Sequence, residues 1–217
     1  MQIVIALFEG FASLDAVGPF QVFNHLPTAK IIFASERPGL VRDESGSLAL
    51  YAEAAYQDVP NPDVILVPGG PGQSAQMAPT PLTDWLIEAD KTSTWTTSVC
   101  TGALILAGAG LLTGRDATTH WLAIEELAKL GANARQERYV FDGKYATAAG
   151  VSAGIDIALA LCARIAGDEE ANRIQLAIEY DPHPPFNSGS PASAPCEIVA
   201  AMRASSRFVH SGSGPHL

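Results

Sequence analysis

Basic residues are scarce in this 217-residue chain, where 13 lysines and arginines stand against 23 aspartates and glutamates. The resulting net charge of −10 predicts a surface that repels nucleic acid and anionic membranes, so we expect a small, neutral or weakly polar partner. Long apolar runs are also missing, because no segment reaches the roughly 20 residues of a membrane span. Met1 leads directly into a strand-like run, and no targeting segment is expected.

Cysteine is rare as well. Cys100, Cys162 and Cys196 show no CxxC spacing and no nearby histidine pair, which argues against a zinc site or other metal site and against a secreted disulfide framework. A reducing cytoplasm is therefore expected. Cys162 falls within an apolar helical segment, where a core position is favoured over chemistry.

What the chain does contain is an alternation of apolar strand-like runs with helical segments. Strands are predicted at Gln2 to Phe8, Ala29 to Ser35, Asp63 to Pro68, Ala117 to Trp121 and in a hairpin around Asp142-Gly143, with a minor strand at Ser47 to Tyr51. Helices are predicted from Gly18-Pro19 onward, at Thr80 to Asp90, after Cys100, and at Leu122 to Leu130, Ser152 to Ala166, Asp168 to Tyr180 and Cys196 to Ser205. This order predicts a three-layer α/β sandwich with a mainly parallel, doubly wound sheet, formed by a single domain over residues 1–205 with a frayed tail at 206–217.

The segment around Cys100 predicts a strand, a tight corner and a helix. A cysteine at that corner stands above the carboxyl edge of the sheet, where the free amides of the next helix favour ionisation of the thiol. Cys100 is therefore a candidate nucleophile at a nucleophile elbow, which predicts a strained backbone at this residue. The alternative is a small buried residue that ends a core strand.

Asp15 follows the first strand and is predicted to lie just before a helix, on the same sheet edge as Cys100. Open parallel sheets bind ligands at this edge, which favours a functional carboxylate. The alternative is an aspartate that stabilises the helix dipole.

Two glycines follow the strand that ends at Pro68. Gly69 and Gly70 allow the backbone to approach a ligand closely, and we predict an oxyanion-binding turn that uses the Gly70 amide, with Gly69 lining the site. A plain strand-to-helix turn is the alternative. His120, predicted at the end of a short strand, is interpreted as a site-lining residue.

The stretches SVCTGALILAGAGLLTGRDATTHW, DVILVPGG and AGVSAGIDIALALCARIAG resemble the ThiJ/PfpI superfamily, which has a flavodoxin-like, class I glutamine amidotransferase-like fold. Residues 14–19 and 179–187 resemble the isonitrile hydratase group within it. This resemblance implies that Cys100 is the nucleophile and Asp15 its acid-base partner, in a homodimer without a cofactor, and Thr101 follows the nucleophile as in that group. Thr101 is a further catalytic candidate: we expect its amide to stabilise developing charge together with that of Gly70, and its hydroxyl to hold Asp15 or the water. The implied reaction hydrates an isocyanide to an N-substituted formamide through a thioimidate on Cys100.

Two alternatives stay open: a glyoxalase-like, amidase-like or protease-like enzyme of the same superfamily, and a redox or metabolite sensor. Thr101 stands where the superfamily's proteases carry a histidine, which argues against peptide hydrolysis. The sequence also resembles the sensor domains of AraC-type regulators, but those carry a helix-turn-helix region that we do not expect here.

Overall fold

The computed structural model describes residues 1–208, in which strands and helices alternate along most of the chain. The strands are β1 Gln2–Ala6, β2 Lys30–Ser35, β3 Gly39–Arg42, β4 Ala49–Ala52, β5 Ala54–Ala55, β6 Val64–Val67, β7 Trp95–Val99, β8 Asp116–Ala117, β9 Asn133–Ala134, β10 Tyr139–Asp142 and β11 Tyr145–Ala148. The α-helices are α1 Ser13–Phe23, α2 Pro81–Asp90, α3 Gly102–Gly108, α4 Ile124–Lys129, α5 Ala153–Ala166, α6 Asp168–Ala177 and α7 Cys196–Ala204.

The main sheet has seven strands in the order β10-β11-β7-β6-β1-β2-β5. All neighbouring pairs run parallel except β10 and β11, which form the predicted hairpin. Because the central strands β1, β6 and β7 are parallel neighbours, their carboxyl ends meet at one edge. The loops that follow them carry Asp15, Gly69 and Cys100 to that edge.

Helices cover both faces of the sheet. Helix α5 packs against α1 and α6, while α3 packs with α2 and α4. Strand β6 is buried along its whole length, as expected of a central strand covered on both sides. The predicted α/β sandwich with a mainly parallel sheet is confirmed.

Two local predictions were wrong. Helix α1 begins at Ser13, before the predicted Gly18-Pro19 start, so Pro19 lies inside it and leaves one helical hydrogen bond unmade. The helix forms because Ala16, Val22 and Phe23 are buried in the core, and tertiary packing outweighs the local cost of proline.

The segment before His120 is not a five-residue strand. Strand β8 covers only Asp116–Ala117, and it pairs with β9 in a separate two-stranded sheet. The minor strand predicted at Ser47 to Tyr51 is present as β4, which pairs antiparallel with β3 in a separate two-stranded sheet. Both short sheets lie against the main sheet, because β4 contacts β2 and β8 contacts β10.

The start of the predicted tail contacts the domain, since Ser206 is buried and Arg207 hydrogen-bonds to the loop after β6. The remaining tail, residues 209–217, lies outside the described residues. No helix within residues 1–208 is both long and apolar enough to cross a membrane.

Candidate active site

Cys100 lies in the turn between β7 and α3 with a φ angle of +56°, a left-handed conformation that is rare for a residue other than glycine. The strain predicted at this residue is present, and such a conformation costs on the order of 1–3 kcal/mol. The surrounding structure fixes it: the Cys100 N–H donates to the carbonyls of Ala148 and Ala149, and the Thr119 hydroxyl donates to the Cys100 carbonyl at 2.8 Å.

Asp15 lies in the first turn of α1, and its side chain is fully buried. The backbone N–H of Gly69 donates to Oδ2 at 2.8 Å. The other oxygen, Oδ1, is buried without a well-aligned hydrogen-bond partner in the described part of the chain. The Cys100 side chain is close enough to act on the pKa of this carboxyl group, so the fold brings the two predicted residues together.

The turn of Gly69 and Gly70 connects Asp15 to Thr101. The Gly70 N–H donates to Thr101 Oγ1 at 3.0 Å, and Gly70 adopts a φ of +122°, which favours glycine. A Cβ on Gly69 would lie 2.5 Å from Thr101 N and 3.0 Å from Asp15 Oδ2. Gly69 therefore permits the close approach of three chain segments.

This geometry disfavours the prediction that the Gly70 amide binds an oxyanion. That N–H is already used by the Thr101 hydroxyl, so it is not free to meet a ligand in this arrangement. The amides directed at the Cys100 sulfur belong to Thr101 and Val151. Val151 itself has a φ of +26°, an unusual value for a β-branched residue.

Burial dominates the electrostatics of the pair. It raises the pKa of Asp15 to about 7, with a smaller contribution from the charge of Glu44, although the hydrogen bond from Gly69 opposes the shift. Burial and then the charge of Asp15 raise the pKa of the Cys100 thiol, against the hydrogen bonds from Val151 and Thr101. The expectation that the start of α3 makes this thiol more acidic is therefore wrong, because desolvation outweighs the helix amides.

His120 lies in the loop before α4, where its Nδ1 accepts a hydrogen bond from the Leu122 N–H at 3.3 Å. Burial, and to a smaller extent the charge of Arg207, lowers its pKa. A cavity of about 480 Å³ has Leu14, Thr119, His120, Trp121 and Val151 in its lining. Cys100 and Asp15 do not line it, but Thr119 and Val151 hydrogen-bond to Cys100. His120 thus lines a cavity at the predicted edge.

A second cavity, of about 570 Å³, lies next to β3 and contains none of the predicted site residues. Within residues 1–208, no group of three or more histidine, cysteine, aspartate or glutamate side chains could hold a metal ion. Cys162 is fully buried in α5, as predicted for a core residue.

Sequence reasoning missed three residues of this site. Val151 lies just after β11, next to Gly150, and a residue that follows a strand and a glycine at the carboxyl edge of the sheet could have been predicted as a site residue. No sequence pattern indicated Thr119 or Arg207, because their contacts with the site depend on how the loops fold. Arg207 Nη1 donates to the Pro71 carbonyl at 2.8 Å and Nη2 to the Gly70 carbonyl at 3.1 Å.

Together, the fold and the site define a flavodoxin-like α/β domain with a strained cysteine at a strand-to-helix turn and a buried carboxyl group beside it. The model of the DJ-1/PfpI family matches residues 1–164, and the chain belongs to this family. The resemblance recorded from the sequence motifs is thereby confirmed.

Individual relatives agree with this assignment. The chain is 39% identical to the isonitrile hydratase of Pseudomonas putida, over 94% of this chain and 89% of that protein. It is 31% identical to the HTH-type transcriptional regulator CdhR of Pseudomonas aeruginosa, over 77% of this chain but only 52% of the regulator. The crystal structure of a ThiJ/PfpI family protein from Pseudomonas syringae superposes with a TM-score of 0.91 at 36% identity, over 94% of this chain and 84% of that one.

Proposed function

We propose that this protein is an isonitrile hydratase, which adds water to an isocyanide and releases an N-substituted formamide. The observation that carries the proposal is the pairing of Cys100 with the buried, readily protonated carboxyl group of Asp15. The similarity to the Pseudomonas putida enzyme over nearly the full length of both chains supports the same reaction. An isocyanide suits the pair because its terminal carbon accepts a nucleophile and a proton at one atom.

In the first step, the Cys100 thiolate bonds to the terminal carbon while Asp15 delivers its proton to that carbon. The product is a covalent thioimidate, R–N=CH–S–Cys100, beside an ionised Asp15. Water then adds its oxygen to the same carbon, and one water proton goes to the nitrogen. Finally, the hydroxyl proton returns to Asp15, the carbon–sulfur bond breaks, and the formamide leaves with the original one-proton pair restored.

The amides of Thr101 and Val151, which point to the sulfur, are placed to stabilise charge that develops next to it. Loss of one such donor typically costs about 3 kcal/mol of barrier. The Thr101 hydroxyl is the further catalytic group, because it connects the Cys100 turn to Gly70. The cavity beside His120 and Trp121 would hold the R group, and its largely apolar lining favours a hydrocarbon substituent.

Mass spectrometry of the reaction mixture tests the function. With an aliphatic or aromatic isocyanide, the wild-type protein is expected to produce the formamide, and Cys100→Ala and Asp15→Asn are expected to produce none while remaining folded. Cys196→Ser is the matched control, because Cys196 is the one exposed thiol among the described residues, whereas Cys100 is buried. A fully active Asp15→Asn protein would refute the proton-donor role, and an inactive wild type would refute the function.

A sensor role is the second candidate, favoured by the similarity to a transcriptional regulator over about half of its length. A sensor would use Cys100 for oxidation or ligand binding without turnover. Stoichiometric sulfinate formation with peroxide, combined with no formamide production, would support it over the hydratase.

The assembly that supports this function is, we propose, a homodimer in a reducing cytoplasm. Helix α7 buries none of its residues in the monomer and exposes Ile198 and Met202, and Leu176 and Phe186 are further exposed apolar side chains. All three cysteines are free, as expected of a reducing compartment. Light scattering coupled to gel filtration measures the mass directly, and a monomer at micromolar concentration would contradict the dimer.

A further inference from the structure

The end of the described chain crosses the turn that supports the site. In addition to its hydrogen bonds to the carbonyls of Pro71 and Gly70, Arg207 donates from Nη2 to Oε1 of the buried Gln73 at 3.3 Å. The Gly70 N–H in turn binds Thr101, the neighbour of Cys100. One guanidinium group therefore fixes three acceptors on the segment that shapes the Cys100 site.

We propose that Arg207 is a positioning residue of the Cys100 site, which holds the Gly70 turn in place and stabilises the Cys100 thiolate with its positive charge. The inference deepens the proposed function and rests on the nucleophilic role of Cys100.

The electrostatic part starts from geometry: the guanidinium group binds the Gly70 carbonyl, and the Gly70 N–H binds Thr101, which follows Cys100 in the chain. The charge of Cys100 also raises the pKa of Arg207, so the two groups interact, and a positive charge at this range favours the thiolate. Burial lowers the pKa of Arg207, yet a guanidinium group stays charged at every physiological pH. Arg207 thus opposes the desolvation that disfavours the thiolate.

The other ionisable groups around the thiol do not supply this charge. Asp15 raises the pKa of Cys100, and Glu44 acts on both Asp15 and Arg207 as a further negative charge. His120 is held neutral near pH 7 because burial and Arg207 lower its pKa. The permanent charge of Arg207 therefore favours the form of the pair in which Cys100 is a thiolate and Asp15 holds the proton.

Arginine also suits the positional part. Its planar fork offers several donors in fixed directions, whereas lysine acts as a point charge on a flexible stem. Replacement by lysine therefore keeps the charge but loses the simultaneous hydrogen bonds to the Gly70 and Pro71 carbonyls.

The test is the pH dependence of iodoacetamide alkylation at Cys100, read by peptide mass spectrometry, with the exposed Cys196 as reference in the same molecule. In Arg207→Gln, we expect the midpoint to move to higher pH and alkylation at pH 8 to slow roughly 3- to 10-fold, the effect of removing a nearby opposite charge. Arg207→Lys is expected to restore the midpoint but still to lower kcat for formamide formation. Arg203→Gln is the matched control, because Arg203 contacts the Trp121 ring and not the Gly70 turn.

Equal midpoints in wild type and Arg207→Gln would overturn the electrostatic role, as would an equal shift in Arg203→Gln. A midpoint in Arg207→Lys that matches Arg207→Gln would also overturn it, and wild-type kcat in Arg207→Lys would overturn the positional role. Thermal unfolding of each variant identifies any that fail to fold, and the alkylation of Arg207→Lys then decides. Alkylation needs no substrate. A wild-type protein that makes no formamide would therefore refute the hydratase function, while the effect of Arg207 on alkylation could still be interpreted.

Discussion

The backbone N–H of Gly69 lies 2.8 Å from Oδ2 of Asp15, although the two residues are 54 positions apart in the chain. The end of β6 thereby holds a carboxyl group that belongs to the first turn of α1. Because burial raises the pKa of this carboxyl group, we expect its protonation to affect both the reactivity of Cys100 and the pH dependence of stability.

The first prediction concerns activity and pH. Below about pH 7 the pair carries two protons, and above it one, because burial raises the pKa of Asp15 to about 7 and that of Cys100 further still. The one-proton pair contains the reactive thiolate and carboxylic acid as one of its forms, so kcat/KM is expected to rise as pH increases through about 7. Steady-state assays between pH 5 and 9 measure it, and a decline across that range would contradict the mechanism.

The second prediction concerns stability. The pKa of Asp15 is about 7 in the folded protein against 3.8 for a free side chain, so between these values the folded state holds a proton that the unfolded state has released. Wild-type stability therefore falls as pH rises from about 4 to about 7 and then levels off, by at most about 4 kcal/mol. Asp15→Asn cannot ionise and is expected to be more stable than wild type at pH 8 but not at pH 4. Urea unfolding at both pH values measures the difference, and an equal effect at the two would exclude this origin.

The third prediction concerns Thr101. Thr101→Val keeps the shape of the side chain but leaves the buried Gly70 N–H without its acceptor, at a cost of about 1–3 kcal/mol of folding stability. We also expect lower kcat, because the turn beside Cys100 loses its connection to Gly70. Thr97→Val is the control: its hydroxyl donates to the Ile65 carbonyl in the sheet, so stability is expected to fall while kcat is retained. Equal kcat losses in both variants would mean that Thr101 acts only through stability.

The fourth prediction concerns Gly69. In Gly69→Ala the new methyl group would meet Thr101 N at 2.5 Å and Thr101 Oγ1 at 2.6 Å, so the three segments must separate. We expect activity to fall at least 10-fold, because a displacement of about 1 Å at an active site has effects of this size or larger. Gly108→Ala, in which the new methyl group would meet the end of the Met77 side chain at 3.4 Å, an ordinary contact, is expected to retain full activity. Wild-type kcat in Gly69→Ala would show that the close approach is not needed.

The periodicity of the sequence was sufficient to predict the main sheet and most helices, because buried parallel strands such as β6 are continuous apolar runs. It failed at Pro19, where the local signal for a helix start was outweighed by the burial of neighbouring residues in the core. It also failed at His120, since a two-residue strand leaves almost no periodic pattern.

The placement of Asp15 and Cys100 at one edge was predictable, because parallel strands align their carboxyl ends. The acidity of the thiol was not, since desolvation depends on atoms from many segments and outweighs the one helix start that the sequence shows. The hydrogen bond from the Gly70 N–H to the Thr101 hydroxyl was also not predictable, because it depends on the position of a side chain. Arg207 reaches the site through the path of the chain after α7, which no local pattern indicates.

The three thiols of this protein differ sharply in their access to solvent: Cys100 and Cys162 are buried, and Cys196 at the start of α7 is exposed. In air, Cys196 is therefore the group that cross-links two molecules first. Because Cys196 begins the α7 surface proposed for the dimer, a covalent dimer on a non-reducing gel would not distinguish a native contact from surface oxidation, so purification with a reductant or as Cys196→Ser is required before any measurement of mass.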